Sequence, residues 1–389
     1  MKDYRPRVAL AGAGHAQLGV LQAFRRGRMN AEVTLLSPEP FQIYSGMLPG
    51  WIAGHYTLEE CRIDLRPLAE KAGVNLVLDR VAALDADRHI LRLAGGGEIG
   101  YDLLSINVGG EINLSLLREA GEQLLPVKPL NEFIQKWQAV VGMASKRKSF
   151  SVVVVGGGAA GVELALAVQY ALNKQCGKTR VALVASEKGL LAAHDSQVSE
   201  VIRKLLRQRG IELYETIARG VKGGLLLGDG LRLFPDVIIA ATGSAAPDWI
   251  RRSNLEVDGN GFVVVDATLS SISHRDVFAA GDICVRADTD MARSGVHAVK
   301  AGPVLAHNLA AFLNAEALTC YHPRKNSLYL LATGPKNAVV SWGKFTGAGR
   351  LAWHWKNWID QRYMRRHKGV AMVVNNGPQS STHETLSGP

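Results

Sequence analysis

Residues 151–165 read SVVVVGGGAAGVELA. Four consecutive valines make a short apolar strand, Gly156, Gly158 and Gly161 follow, and the helix-prone VELALAVQY comes directly after. Strand, glycine turn and helix start in this succession are what a dinucleotide pyrophosphate requires. The first glycine makes the turn, the second lets the backbone approach the phosphates, and the third lets helix and strand pack closely. Free N–H groups at the helix start then meet the negative charge. One such match carries little weight. A second stands upstream, RVALAGAGHAQLGV at residues 7–20, with Gly12 and Gly14. Two turns in one chain predict two nucleotides held face to face.

The bulk properties agree with an α/β protein built on two such units. A length of 389 residues exceeds one ordinary core and predicts two domains with an extension. The composition, 47% hydrophobic and 21% charged, is globular. No apolar run approaches the roughly 18 residues that cross a bilayer. The short apolar start runs straight into a glycine turn, which is not the pattern of a signal peptide. Cys61, Cys176, Cys284 and Cys320 lie far apart without a CxxC pair. That spacing predicts neither a metal site nor a disulfide framework and suits a reducing cytoplasm. The formal charge of +10 favours anionic partners, either dinucleotides or an acidic membrane face. No nucleic-acid motif accompanies it.

Along the chain, strands are expected at Arg7–Leu10, Glu32–Leu36, Asn75–Leu78 and Leu103–Asn107, with a helix from Gly14 to about Arg26. The first unit departs from the dinucleotide pattern twice. Gln17 stands at the third glycine position, and Ser37, not an acid, ends the second strand, with Glu39 two positions on. The stretch PFQIYSGMLPGWIAGHY, residues 40–56, combines glycines with large apolar side chains and is expected to fold against a bound ring system. LPVKPLNEF, residues 125–133, reads as a hinge, and its Lys128 as an exposed lysine. The second unit continues with strands at Arg180–Ala185 and Asp236–Ala241. AATGSAAP (240–247) and DVFAAGD (276–282) are strands running into small-residue turns, where doubly wound sheets bind ligands. A helix follows over Gly295–Phe312, and residues 320–350 read as β-rich. Residues 351–368 form a helix with Leu351, Trp355, Trp358 and Ile359 on one face. The expected division is 1–112 and 246–318 for the first unit, 113–245 for the second with its hinge, 319–370 for an α+β extension, and 371–389 for a disordered tail.

GAGHAQ, GGGAAGVE, AATG and VFAAGD in this order resemble the two-dinucleotide-binding-domain flavoproteins: the pyridine nucleotide–disulfide oxidoreductases, type II NADH dehydrogenases and sulfide:quinone reductases. YSGMLPGWIAGHY, GVHAVKAGPVLAHNL and SWGKF…WKNWIDQRYM are similar to a bacterial subgroup often fused to, or encoded beside, selenophosphate synthetase. The resemblance implies two Rossmann-like domains binding FAD and NAD(P)H. It places Gly12, Gly14, His15, Ala16, Ser37, Ser45, Gly109, Gly281 and Asp282 around FAD, with His297 and Ala298 at a helix start aimed at the flavin N1–O2 edge. It places Gly156, Gly158, Gly161, Thr242 and Gly243 around NAD(P)H. Glu163 is implied near the nicotinamide. Glu187, after the second unit's second strand, is suited to ribose hydroxyls, and no arginine follows it, a slight preference for NADH.

The chemistry implied is hydride transfer from nicotinamide to flavin. The onward acceptor is less specified. Disulfide reductases of this superfamily carry a CxxxxC pair where this chain has Tyr44–Pro49, without cysteine. A quinone is the leading expectation, approached past Tyr44, Met47, Leu48 and the C-terminal aromatics, with residues 351–368 resting on a membrane surface or docked on the protein's own core. The alternatives are a sulfide-type reductase using Cys176 and Cys320, and a redox partner or sensor linked to selenium metabolism.

Overall fold

The computed structural model describes residues 4–368 except Arg28, Cys176, Gly177, Ala292 and Lys325. The expected tail and Cys176 lie outside the described residues. In chain order the principal strands are β1 (Arg7–Ala11), β2 (Glu32–Ser37), β3 (Asn75–Leu78), β4 (Leu103–Ile106), β5 (Leu124–Pro126), β6 (Phe150–Val155), β7 (Thr179–Ala185), β8 (Glu212–Glu215), β9 (Val237–Ala240), β10 (Val277–Ala279), β11 (Leu328–Ala332), β12 (Ala338–Trp342) and β13 (Phe345–Gly349). The principal helices are α1 (His15–Arg26), α2 (Leu130–Ser145), α3 (Ala159–Leu172), α4 (Ser196–Gln208), α5 (Gly295–Leu313) and α6 (Arg350–Lys368).

Two parallel sheets form, in the orders β10-β4-β1-β2-β3 and β5-β9-β6-β7-β8. Their central strands are almost continuously apolar because helices and crossovers cover both faces. In each sheet the first strand of the glycine motif, β1 or β6, has neighbours reached in opposite directions. A crevice therefore opens at its carboxyl end, and the glycine turn lies there.

Gln17 occupies the position of the missing third glycine. Its side chain is fully buried and donates to the Ser105 carbonyl at 2.9 Å and the Ser105 hydroxyl at 3.0 Å, tying α1 to β4. Close packing is supplied two residues later, where Gly19 meets Gly302 of α5; a Cβ on Gly19 would lie 3.0 Å from the Gly302 Cα. Pro303 lies within α5, which runs unbroken through it.

β11, β12 and β13 form an antiparallel sheet that packs against α3 and α4 of the second unit, while α6 lies on this sheet and on the Arg62–Asp64 strand of the first. Of the two placements the sequence leaves open for this helix, the face that carries Leu351, Trp355 and Trp358 is not the docked one. Leu351 is 86% exposed and Trp358 52% exposed, while Ala352, Trp353, Lys356, Asp360, Met364 and His367 face inward. The apolar periodicity identified the helix but not the docked stripe, which joins Ala352, Trp353 and Met364 with a buried ion pair, Lys356 with Asp360.

Candidate functional site

The first glycine turn is built around a residue that the motif does not contain. Asn107, just past β4, is buried; its Oδ1 accepts from the Ala16 and Gln17 N–H groups at 3.0 and 3.2 Å, and its Nδ2 donates to the Ala280 carbonyl. It thereby joins α1, β4 and the turn after β10. Gly12 is at φ +88, and a Cβ there would meet the Val108 backbone at 2.6 Å; one on Gly14 would strike Asn107. The VGG sequence after β4 was the available signal, but its asparagine has no recognisable spacing. Gly14 precedes α1 with no side-chain cap and no acid in the first turn, and Gly158 precedes α3 in the same way. In contrast, Asp195 caps α4 through its own carboxylate. α3 thus leaves its first N–H groups for an anion, whereas on α1 the Asn107 side chain already takes those of Ala16 and Gln17. Ser294 Oγ, at the start of α5, is buried without a protein partner, as a site for a polar ligand requires. These features fit FAD on the first unit and NAD(P)H on the second.

Asp282 stands at the end of this crevice and forms a 3.1 Å ion pair with Lys128, which is partly buried, not a free surface lysine as its sequence context suggested. His297 is buried and directs Nδ1 to the Tyr321 hydroxyl at 3.0 Å. Its ring is therefore engaged by packing, and only the helix start around it, with buried Ala298 beside Gly281, faces the crevice. Ser37 is buried and donates to the Glu39 carbonyl at 2.8 Å, so its hydroxyl is spent within its own turn. Ser45 is exposed at the start of a short 3-10 turn. Gly109 (φ +75), Thr242 and Gly243 belong to the connection between the units: Thr242 Oγ1 donates to the Asn113 carbonyl at 2.6 Å, and Glu111–Ile112 pairs with Ser244–Ala245. Glu187 is exposed just beyond β7.

Met47 does not line an approach path. It is fully buried in the first unit's core, with Leu48 also buried nearby, because the 40–56 stretch folds inward as a strand, a 3-10 turn and a short helix. Tyr44 remains at the site. Its ring stacks on Tyr363 of α6 at 4.5 Å and meets the His15 edge at 5.5 Å, and its hydroxyl donates to Asp360 at 3.0 Å. His15 Nδ1 and the Tyr363 hydroxyl are 2.9 Å apart. Burial, with His367 nearby, lowers the His15 pKa to about 4, so the imidazole is neutral. Asp360 also accepts from Lys356 Nζ at 2.9 Å, and Lys356 donates to the Gly46 carbonyl at 2.8 Å. Neither α6 residue was anticipated from the sequence, because a helical lysine and aspartate four apart ordinarily form a solvated pair.

Glu163 lies one turn into α3, not at its start, and accepts from the Ala332 N–H of β11 at 2.7 Å. Burial pushes its carboxyl up to about 7, against the pull of Lys356 and of that N–H. The folded protein therefore binds this proton more tightly than the unfolded chain, whose value is near 4.5. The resulting stability is complete below about pH 4.5 and is lost as pH rises through about 7. Glu163→Gln is expected to leave stability near pH 5 almost unchanged and to exceed wild type by about 2 kcal/mol near pH 9, read from denaturant midpoints at the two pH values.

Residues 6–308 match the family model described as pyridine nucleotide-disulphide oxidoreductase. A probable ferredoxin reductase of Castellaniella defragrans is 29% identical over 294 residues, covering 72% of this chain and 68% of that protein. An NADH dehydrogenase-like protein of Mycobacterium tuberculosis is 28% identical over 300 residues, covering 71% and 72%. In fold, the chain is similar to the sulfide:quinone oxidoreductase of Aquifex aeolicus (TM-score 0.79, 15% identity, 94% and 92% covered). It is equally similar to NDH2 of Plasmodium falciparum in complex with NADH (TM-score 0.79, 14% identity, 94% and 96% covered). Two glycine turns, each at the carboxyl end of a strand in a parallel sheet, in a chain matched over most of its length, establish that it belongs to the pyridine nucleotide-disulphide oxidoreductase family and is an FAD-dependent NAD(P)H oxidoreductase.

Proposed function

We propose that the protein passes a hydride from NADH to FAD and the two electrons onward to a quinone met at a membrane surface: NADH, a proton and quinone become NAD⁺ and quinol. The observation that carries this reading is the two-sidedness of α6. Its inner face places Tyr363, Lys356 and Asp360 beside Tyr44 and His15, while its outer face presents Leu351, Trp355 and Trp358. Arg362 lies over the Trp358 ring at 5.2 Å, and the β12–β13 hairpin adds exposed Trp342 and Phe345. Apolar rings interleaved with cations suit the head-group layer of an anionic bilayer, and one helix then connects lipid to the nucleotide crevice. No described helix is long and apolar enough to cross a membrane, so this contact is with the surface. Glu187, exposed where ribose hydroxyls are bound in such folds, supports NADH.

The sulfide-type alternative rests on Cys320 and on Cys176, which lies outside the described residues. Cys61 and Cys284 are buried, with thiols pushed up to about 12 by burial, and Cys320 is exposed. The test is anaerobic stopped-flow: NADH is expected to bleach the flavin and a short-chain quinone to restore it, while NADH bleaching followed by recovery only with an iron–sulfur protein would refute the quinone reading. Replacing Trp355 and Trp358 by serine is expected to weaken sedimentation with anionic vesicles about tenfold without changing turnover on a water-soluble quinone.

A further inference from the structure

The extension beyond residue 308 contributes more than a surface. Lys356 and Asp360 are both buried, and each polar contact between them is specific: one carboxylate oxygen takes the ammonium at 2.9 Å and the other takes the Tyr44 hydroxyl at 3.0 Å. The Gly46 carbonyl takes a second ammonium hydrogen at 2.8 Å. The ammonium is thereby fixed against the 44–46 turn of the first unit, within electrostatic reach of Glu163 on α3 of the second. It lies at the seam where the two nucleotide units meet. An isolated buried lysine tends to lose its proton. Burial does work against this one, but the carboxylates of Asp360 and Glu163 outweigh it and hold Lys356 above its ordinary value. The other titratable groups facing the pair are Tyr44, Tyr56 and Cys61, all pushed upward by burial and so uncharged near neutrality.

We propose that Asp360 is a positioning residue that keeps Lys356 as a permanent cation at this seam, and that the cation offsets the negative charge arriving there with the hydride. The requirement is electrostatic. A two-electron reduction in a poorly solvated crevice adds charge that water cannot screen, and a fixed ammonium supplies the compensation without reorganisation. Hydrogen-bonding Asp360 to Tyr44 immobilises the carboxylate, and the carboxylate immobilises the ammonium. The inference rests on the FAD assignment and is independent of which acceptor follows.

The test is a spectroelectrochemical titration of the bound flavin, without nucleotide or acceptor, from about pH 6 to about pH 9. Lys356→Met is expected to lower the reduced-to-oxidised ratio at fixed potential about tenfold at every pH, or about 30 mV for a two-electron couple. Asp360→Asn is expected to match wild type at the acid end and to fall to the Lys356→Met value at the alkaline end, where the unpaired ammonium is stripped by burial. Asp360→Glu restores wild-type behaviour. Because breaking a buried pair endangers folding, the double replacement Lys356→Met with Asp360→Leu provides a second arm, since apolar substitutes for buried ion pairs are often tolerated. It is expected to lower the ratio severalfold. A flavin-loaded double variant, or Asp360→Asn, that follows wild type across the whole pH range would overturn the proposal.

Discussion

Gly161→Ala is expected to destabilise the second nucleotide unit by more than about 3 kcal/mol and to abolish flavin reduction by NADH. A Cβ at this position would fall on the carbonyl oxygen of Gly156, closer than any non-bonded contact. Gly156 has no room to retreat, because it is at φ +140 with the Ala241 carbonyl against its other side. Strand β6, the turn and α3 would have to separate. Gly158→Ala provides the contrast. Gly158 is at φ −78, and a Cβ there meets nothing within 4 Å. The added methyl costs the fold little but stands where phosphates are expected to approach. Thermal melts should separate the two: Gly161→Ala melts early, while Gly158→Ala keeps its Tm and loses NADH binding. Equal melting of both variants would contradict a purely steric role for Gly161.

Asn107→Ala is expected to cost about 3 kcal/mol and to lower the flavin-to-protein ratio of the purified protein several-fold. Its side chain satisfies two main-chain N–H groups and one carbonyl in a region without access to water. Truncation leaves all three without partners, and each buried orphan costs about 1–3 kcal/mol before relaxation. The helix start of α1 and the turn after β10 then lose their common support. Asn107→Asp preserves the acceptor toward Ala16 and Gln17 but sets a carboxylate oxygen against the Ala280 carbonyl. It is expected to retain as little flavin as the alanine variant.

These two residues mark the boundary of what the sequence discloses. Gly161 is legible because its requirement is local: the turn and the helix that impose it lie within a dozen residues. The parallel sheets were legible for the same reason, since valine-rich strands and glycine turns follow each other along the chain. Asn107 was not, because its partners are 90 and 173 residues distant and an asparagine after a strand has many uses. Met47 misled because a large apolar residue beside a glycine reads equally as a ligand wall and as core. Helix α6 was identified by its periodicity, but its orientation depends on what the rest of the protein offers to Lys356 and Asp360. No local pattern contains that information. Gln17 looked like a defect in the first motif, and only its bonds to Ser105 reveal the compensation.

The C-terminal extension holds both nucleotide units at once. At one end, the Ala332 N–H grips Glu163; at the other, Tyr363 and Asp360 grip His15 and Tyr44, and Arg366 bonds to the Gln22 side chain at 2.8 Å. His55 of the first unit also bonds to the Gly334 carbonyl at 2.7 Å. Mechanically this is a truss with three members. A swing of one lobe away from the other has to unseat the third member first, so the two lobes do not breathe independently. The three parts are therefore expected to share a single melting transition, seen as one calorimetric peak; two resolved peaks would show that the lobes unfold separately.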